Sequence, residues 1–196
     1  VRNVAPEVEV HHLPHAVNDS VFTRIEDRSI IKNFRKENDI GIDSNGNKRF
    51  TFFWNNRNAR RKQSGSLMFW FNDFLDRVGR DKATLIMHTE PKDPNGQDLD
   101  AIKERLGFDE DQFKLSTNKL SLEQLSVLYN ACDCTINISD AEGFGLATLE
   151  SLATETPIIV NMTGGLQEQV TNGEDWFGIG IEPSSKAIIG SQEVPW

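Results

Sequence analysis

Cys134-Thr-Ile-Asn-Ile-Ser-Asp-Ala-Glu-Gly-Phe-Gly-Leu-Ala-Thr-Leu-Glu-Ser-Leu-Ala153 is the stretch that decides the fold. Its first five residues read as a short buried strand, and residues 146–153 read as a helix. Gly143 and Gly145 lie between them, where the backbone must turn sharply or come close to a ligand. Strand, glycine turn and helix in that order make half of a βαβ unit.

The same alternation continues on both sides. Upstream, Phe50-Thr-Phe-Phe-Trp54 is a nearly continuous apolar run bounded by Asn55, as expected of a strand buried on both faces. Over 66–78, Leu67, Phe71, Phe74, Leu75 and Val78 recur at helical spacing. Thr84-Leu-Ile-Met-His88 is a further strand, 99–106 a helix and 113–115 a weak strand. Ser121 and Gln124 form a capping-box pattern opening a helix to Ala131, with Leu122, Leu125, Leu128 and Tyr129 on one face. Downstream, Pro157-Ile-Ile-Val160 reads as a strand, and Gly164-Gly165 opens a short helix through Val170. Ahead of these lie a polar lead-in broken by Pro6 and Pro14, a helix-compatible stretch over 27–38 and the turn-rich Asp43-Ser-Asn-Gly-Asn47. The pattern predicts an α/β fold: a Rossmann-like, doubly wound parallel sheet with helices on both faces. Such a sheet binds ligands at the carboxyl ends of its strands.

Composition bounds the function. The 196 residues suit one domain, and 37% apolar residues suffice for a core. A formal charge of −9 argues against a general nucleic-acid or membrane-surface binder while leaving room for a local basic pocket. No run approaches the roughly 20 apolar residues of a membrane span. Cys132 and Cys134 are too few and too close for a disulfide framework, so the expected compartment is the reducing cytoplasm.

Three segments carry chemistry. In the first, Glu142 and Glu150 bracket the glycine turn and the start of a helix, whose free N–H groups favour an anion such as a diphosphate. Carboxylates accept hydrogen bonds from hydroxyls, so acids around an anion pocket suit a ligand joining sugars to phosphates. In the second, Arg57, Arg60, Arg61 and Lys62 follow the 50–54 strand; the loop is either a solvated basic run or a phosphate site. In the third, Thr163-Gly-Gly-Leu-Gln-Glu168 is either a second anion-facing turn or a plain connection. His11, His12 and His15 have no acid or Cys at ligand spacing, and His88 reads as a structural histidine at a strand end.

Taken together, these segments resemble the retaining glycosyltransferases of the GT-B fold, the "glycosyl transferases group 1". Glu142-Gly-Phe-Gly-Leu-Ala-Thr-Leu-Glu150 is similar to their E-x7-E motif. The 121–133 segment resembles the family's helix ending in Y-x-x-A-D, and Pro157 to Val160 with Gly164, Gly165 and Glu168 resembles its P-V-V strand, glycine pair and acid. Arg57 and Lys62 have the separation of the Arg and Lys in its G-R-x-x-x-x-K-G loop, and Leu13-Pro-His-Ala-Val17 is similar to its H-G-V segment. Asn55-Asn56, Gln63 and Glu155 stand where that pattern often has glycine, and Ala147 replaces a frequent proline.

The resemblance implies roles. Arg57 and Lys62 would neutralise a donor diphosphate, Glu142 would contact the transferred sugar and Glu150 the ribose. The backbone of Gly143, Phe144, Gly145 and Leu146 would meet sugar and phosphates, and Lys119 and Leu120 would flank the base. The implied partner is a nucleoside-diphosphate sugar, with no metal and no other cofactor. A glycan, lipid or protein acceptor would come through an N-terminal domain absent from this chain. Residues 1–24 would then be an interdomain linker and 25–196 the donor-binding domain, a fragment inactive alone and ending at Trp196 without a long terminal helix. The alternative is a non-catalytic nucleotide or sugar-phosphate module, or an epimerase-like relative.

Overall fold

The computed structural model describes residues 3–11 and 13–184. The expected chain end at 194–196 and His12 of the histidine trio lie outside the described residues. Among the described residues, the lead-in has neither helix nor strand before α1 (Arg28–Glu37). There follow β1 (Phe50–Asn55), a 3-10 turn (Arg60–Lys62), α2 (Ser64–Val78), β2 (Ala83–His88), α3 (Leu99–Leu106) and β3 (Phe113–Ser116). The second half holds α4 (Leu122–Ala131), β4 (Cys134–Asn137), α5 (Leu146–Ala153), β5 (Ile158–Asn161), α6 (Leu166–Val170) and β6 (Gly178–Ile181).

All neighbouring strands are parallel, in the order β3-β2-β1-β4-β5-β6. This is the doubly wound order, with its switch point between β1 and β4, where Phe52 pairs with Cys134. The Rossmann-like α/β fold is therefore present. Side chains alternate across the pleat. Phe52 and Trp54 point into a core shared with Leu67, Phe71, Leu75 and Phe113, whereas Phe53 points to the opposite core with Ile31, Leu128 and Tyr129. Ser121 caps α4 through the expected capping box, its hydroxyl accepting from Gln124 N.

Some expectations fail at the surface. Leu122 is 54% exposed, because it opens α4 on the turn that faces solvent. Phe74, Val78 and Phe50 are also exposed, so the α2 stripe is wider than the face it buries and β1 is covered on both sides only past its first residue. β6 was not anticipated: Gly178-Ile-Gly-Ile181 becomes a strand by pairing with β5 at the sheet edge.

Candidate functional site

The loops after β1 and β4 meet at the switch point. After β1 the chain makes the 3-10 turn Arg60–Lys62, which carries Lys62 inward. After β4 it passes Asp140 and Glu142 before Gly145, at φ +90, starts α5. The loops are tied together: Asp140 N donates to Arg61 O at 2.8 Å, and Arg61 Nη1 donates to Ala141 O at 2.7 Å.

At their junction Lys62 Nζ makes direct contact with the Glu142 carboxylate, and both side chains are nearly covered, at 8% and 11% exposure. Burial, and then the neighbouring Arg61 guanidinium, push the Lys62 ammonium down to about 8. Lys62, Glu142, Phe144, Gly145 and Leu146 line one pocket of about 290 Å³, at the N-terminus of α5. Backbone N–H groups there and the helix dipole favour an anion.

Two further residues line this pocket. Asn56 comes from the end of β1, and His15 from the lead-in, its ring set edge-on to Phe144 at 5.1 Å. The H-G-V-like segment was the signal for His15; Asn56 was marked only as a departure, standing where the Arg/Lys loop pattern often has glycine.

Glu150 lies behind the pocket on the next turns of α5. Its Oε2 accepts from the Tyr129 hydroxyl at 2.8 Å, and that hydroxyl accepts from Asn55 Nδ2 at 2.9 Å. Burial lifts the Glu150 carboxyl above its ordinary value, while the Tyr129 hydrogen bond opposes the rise. The Tyr129 phenol is itself fully buried and held well above its usual value, first by desolvation and then by the Glu150 charge.

Arg57 is not gathered with Lys62. Its guanidinium bonds Asp93 at 2.7 Å from Nε and is 65% exposed. Lys119 is exposed and Leu120 packs on the Phe53–Tyr129 core, both in the segment joining β3 to α4. Gly143 is exposed. The glycine pair supports the β4 loop from below: Gly165 N donates to Glu142 O at 3.0 Å, and a Cβ on Gly164 would fall 1.9 Å from that same oxygen. Only glycines let these two loops approach so closely. His88, half-buried, bonds Ser116 Oγ at 2.9 Å.

Known proteins resemble this chain in sequence and in fold. Residues 104–189 match the family model "Glycosyl transferases group 1". A D-inositol 3-phosphate glycosyltransferase of Corynebacterium urealyticum is 42% identical over 52 residues, 26% of this chain and 12% of that protein. The C-terminal domain of a glycosyl transferase group 1 family protein from Francisella tularensis superposes with a TM-score of 0.65 at 21% identity, over 87% of this chain and 82% of that one. Anabaena Alr3699/HepE in complex with UDP-glucose gives 0.66 at 19% identity, over 86% of this chain and 42% of that one. Sucrose-phosphate synthase from Thermosynechococcus elongatus gives 0.65 at 22%, over 88% and 39%. The chain thus spans about two fifths of these longer proteins. The resemblance to the glycosyl transferases group 1 is borne out over residues 104–189, and the fold is like that of the C-terminal domain of the Francisella protein.

Proposed function

We propose that this chain, matched to the glycosyl transferases group 1 over residues 104–189, is the donor-binding domain of a retaining, metal-independent glycosyltransferase. The observation that carries the reading is the buried Lys62–Glu142 pair at the N-terminus of α5, on the switch point of the sheet. A nucleoside diphosphate leaving a sugar gains negative charge, and a preorganised cation with helix N–H groups stabilises it without reorganisation. Lys62 supplies that cation. Arg57 supplies a second by exchanging Asp93 for phosphate, a swap its exposure permits. Glu142, released from Lys62 by the incoming diphosphate, accepts hydrogen bonds from the transferred sugar. Glu150 accepts from the ribose, and the backbone of Gly143, Phe144, Gly145 and Leu146 meets sugar and phosphates. Lys119 and Leu120 flank the base. The glycan, lipid or protein acceptor enters through a second domain.

The HepE protein solved with UDP-glucose, alike in fold, supports a nucleotide-sugar partner. Calorimetry against UDP, GDP and ADP tests the reading. One nucleoside diphosphate should bind, with Lys62→Ala and Arg57→Ala each weakening it and EDTA leaving it unchanged. Absence of binding by all three at millimolar concentration would sink the assignment.

A further inference from the structure

A second polar site lies at the opposite end of the sheet. A groove of about 920 Å³ opens beside the first residue of β1, under α1 and the 40–49 segment. The six residues of β1 separate it from the loop that carries Lys62, roughly 20 Å at about 3.3 Å per residue. Six cations line it: Arg28, Lys32, Arg35, Lys36, Lys48 and Arg49. The one acid in its lining, Asp133, is already used: Oδ1 pairs with Arg35 at 2.5 Å, and Oδ2 accepts from Thr51 N at 2.8 Å. Among the described residues, none of Arg28, Lys32, Lys36 or Lys48 has a carboxylate within 4.0 Å. In a chain of net charge −9, that segregation is a local reversal of sign.

Arg49 separates this groove from an ordinary solvated helix face. The residue is only 6% exposed, and its guanidinium is held by neutral groups alone. Nε donates to Thr84 Oγ1 at 3.2 Å, and Nη2 to the carbonyls of Arg80 and Ala83, both at 2.7 Å. Nη1 has no hydrogen-bond partner among the described residues. Asp43 and Asp81 feel its charge, yet neither comes within 4.0 Å. A buried guanidinium is ordinarily compensated by a paired anion, because its desolvation costs several kcal/mol. Here the backbone fixes the fork, and the anion is left for a ligand to supply.

We propose that this groove binds a phosphate-bearing anion. Arg49 would supply the charge and the two unpartnered N–H groups of its fixed Nη1, and the lysines of α1 would supply flanking charge. Ile31 and Ile40 form an apolar floor, which suits a phosphate ester with an organic body. Such a phosphate comes either free in solution or on a lipid headgroup.

The test uses the whole 196-residue chain at low ionic strength, where exposed charges are least screened. Sodium tripolyphosphate is titrated while backbone amide NMR shifts are followed, so that the groove and the Lys62 loop report separately. Unilamellar vesicles of phosphatidylglycerol and of phosphatidylcholine form the second arm, read by co-sedimentation. Saturable shifts over residues 40–50 establish a free-phosphate site. Sedimentation with the anionic vesicles alone establishes a headgroup site. In either case the Lys32→Glu/Lys36→Glu variant must raise Kd at least tenfold with its circular dichroism unchanged, and Lys48→Glu must weaken binding independently. Shifts confined to the Lys62 loop, or binding indifferent to these reversals, would overturn the proposal.

Discussion

The hydroxyl of Tyr129 donates to Glu150 at 2.8 Å, joining the core of α4 to the second carboxylate of the E-x7-E segment. Asn55 completes the relay from the end of β1, so three elements fix one carboxylate. Tyr129→Phe removes the shared hydroxyl and leaves both a buried carboxylate and a side-chain amide short of a partner. Urea unfolding should register a loss of about 2 kcal/mol. Because the Tyr129 hydrogen bond holds the Glu150 carboxyl down against burial, its titration midpoint should also move upward in the variant, as read by carboxyl 13C shifts. An unchanged midpoint would mean that the hydroxyl does not govern Glu150.

Linkage gives Glu150→Gln a defined sign. The folded carboxyl keeps its proton above the ordinary value of 4.5, so the unfolded chain loses its proton first as pH rises. Stability then falls with pH from 4.5 until the folded value is passed, and stays lower above it. Replacing Glu150 by Gln should abolish that decline, leaving the variant relatively more stable at neutral pH than at pH 4. Parallel unfolding curves across that range for the two proteins would contradict the assignment.

Lys62 has the opposite linkage. Its ammonium is pushed down to about 8 from 10.5, so the unfolded chain holds this proton across an interval where the folded chain has released it. The cost of burying the charge is fully present below pH 8, and the Lys62 contribution to stability improves as pH rises from 8 to 10.5. Affinity for a nucleoside diphosphate should move the other way, falling as pH passes 8, with the break missing in Lys62→Ala. Glu142→Gln leaves a buried ammonium without its anion and should cost about 3 kcal/mol at pH 7. Calorimetric affinities between pH 6.5 and 9.5 check the first expectation, and urea unfolding checks the second.

The strand-turn-helix order was legible in the sequence because a parallel sheet buries whole runs such as Phe50 to Trp54, and glycines mark where the chain must bend. The relay was not. Tyr129 fits the apolar face of α4 as well as Leu128 does, and its partner Glu150 lies 21 residues away, across a packing that local pattern does not encode. The cationic loop after β1 was visible as a cluster, but spacing treats Arg57 and Lys62 alike. The 3-10 turn separates them, sending Lys62 into the pocket and leaving Arg57 with Asp93. The groove cations were dispersed along the chain from Arg28 to Arg49, and they converge only once α1 folds over the start of β1.

The two loops of the pocket can be separated by alanine at their glycines. A Cβ on Gly143 would meet nothing within 4 Å, whereas one on Gly164 would press into the Glu142 carbonyl at a φ of +48. Gly143→Ala should leave stability within about 0.5 kcal/mol. Gly164→Ala should cost about 2 kcal/mol or more, since it combines a backbone collision with a left-handed conformation. Thermal unfolding of the two variants side by side measures the difference; equal melting points would refute the buttress.

Glu155 and Gln63 occupy the left-handed region, at φ +58 and +57, and both stand where the family pattern often has glycine. The departures from that pattern are therefore also sites of backbone strain. Side-chain contacts compensate: Glu155 pairs with Arg24 at 2.5 Å, and Gln63 donates to Asp140. The Glu155 pair is exposed, so solvent screens it and it offsets the strain only weakly. Glu155→Ala loses the pair and keeps the strain, while Glu155→Gly loses the pair and relieves it. The glycine variant should therefore be the more stable of the two by about 1 kcal/mol. Urea unfolding of both variants decides this, and an alanine variant as stable as the glycine one would show that position 155 carries no strain.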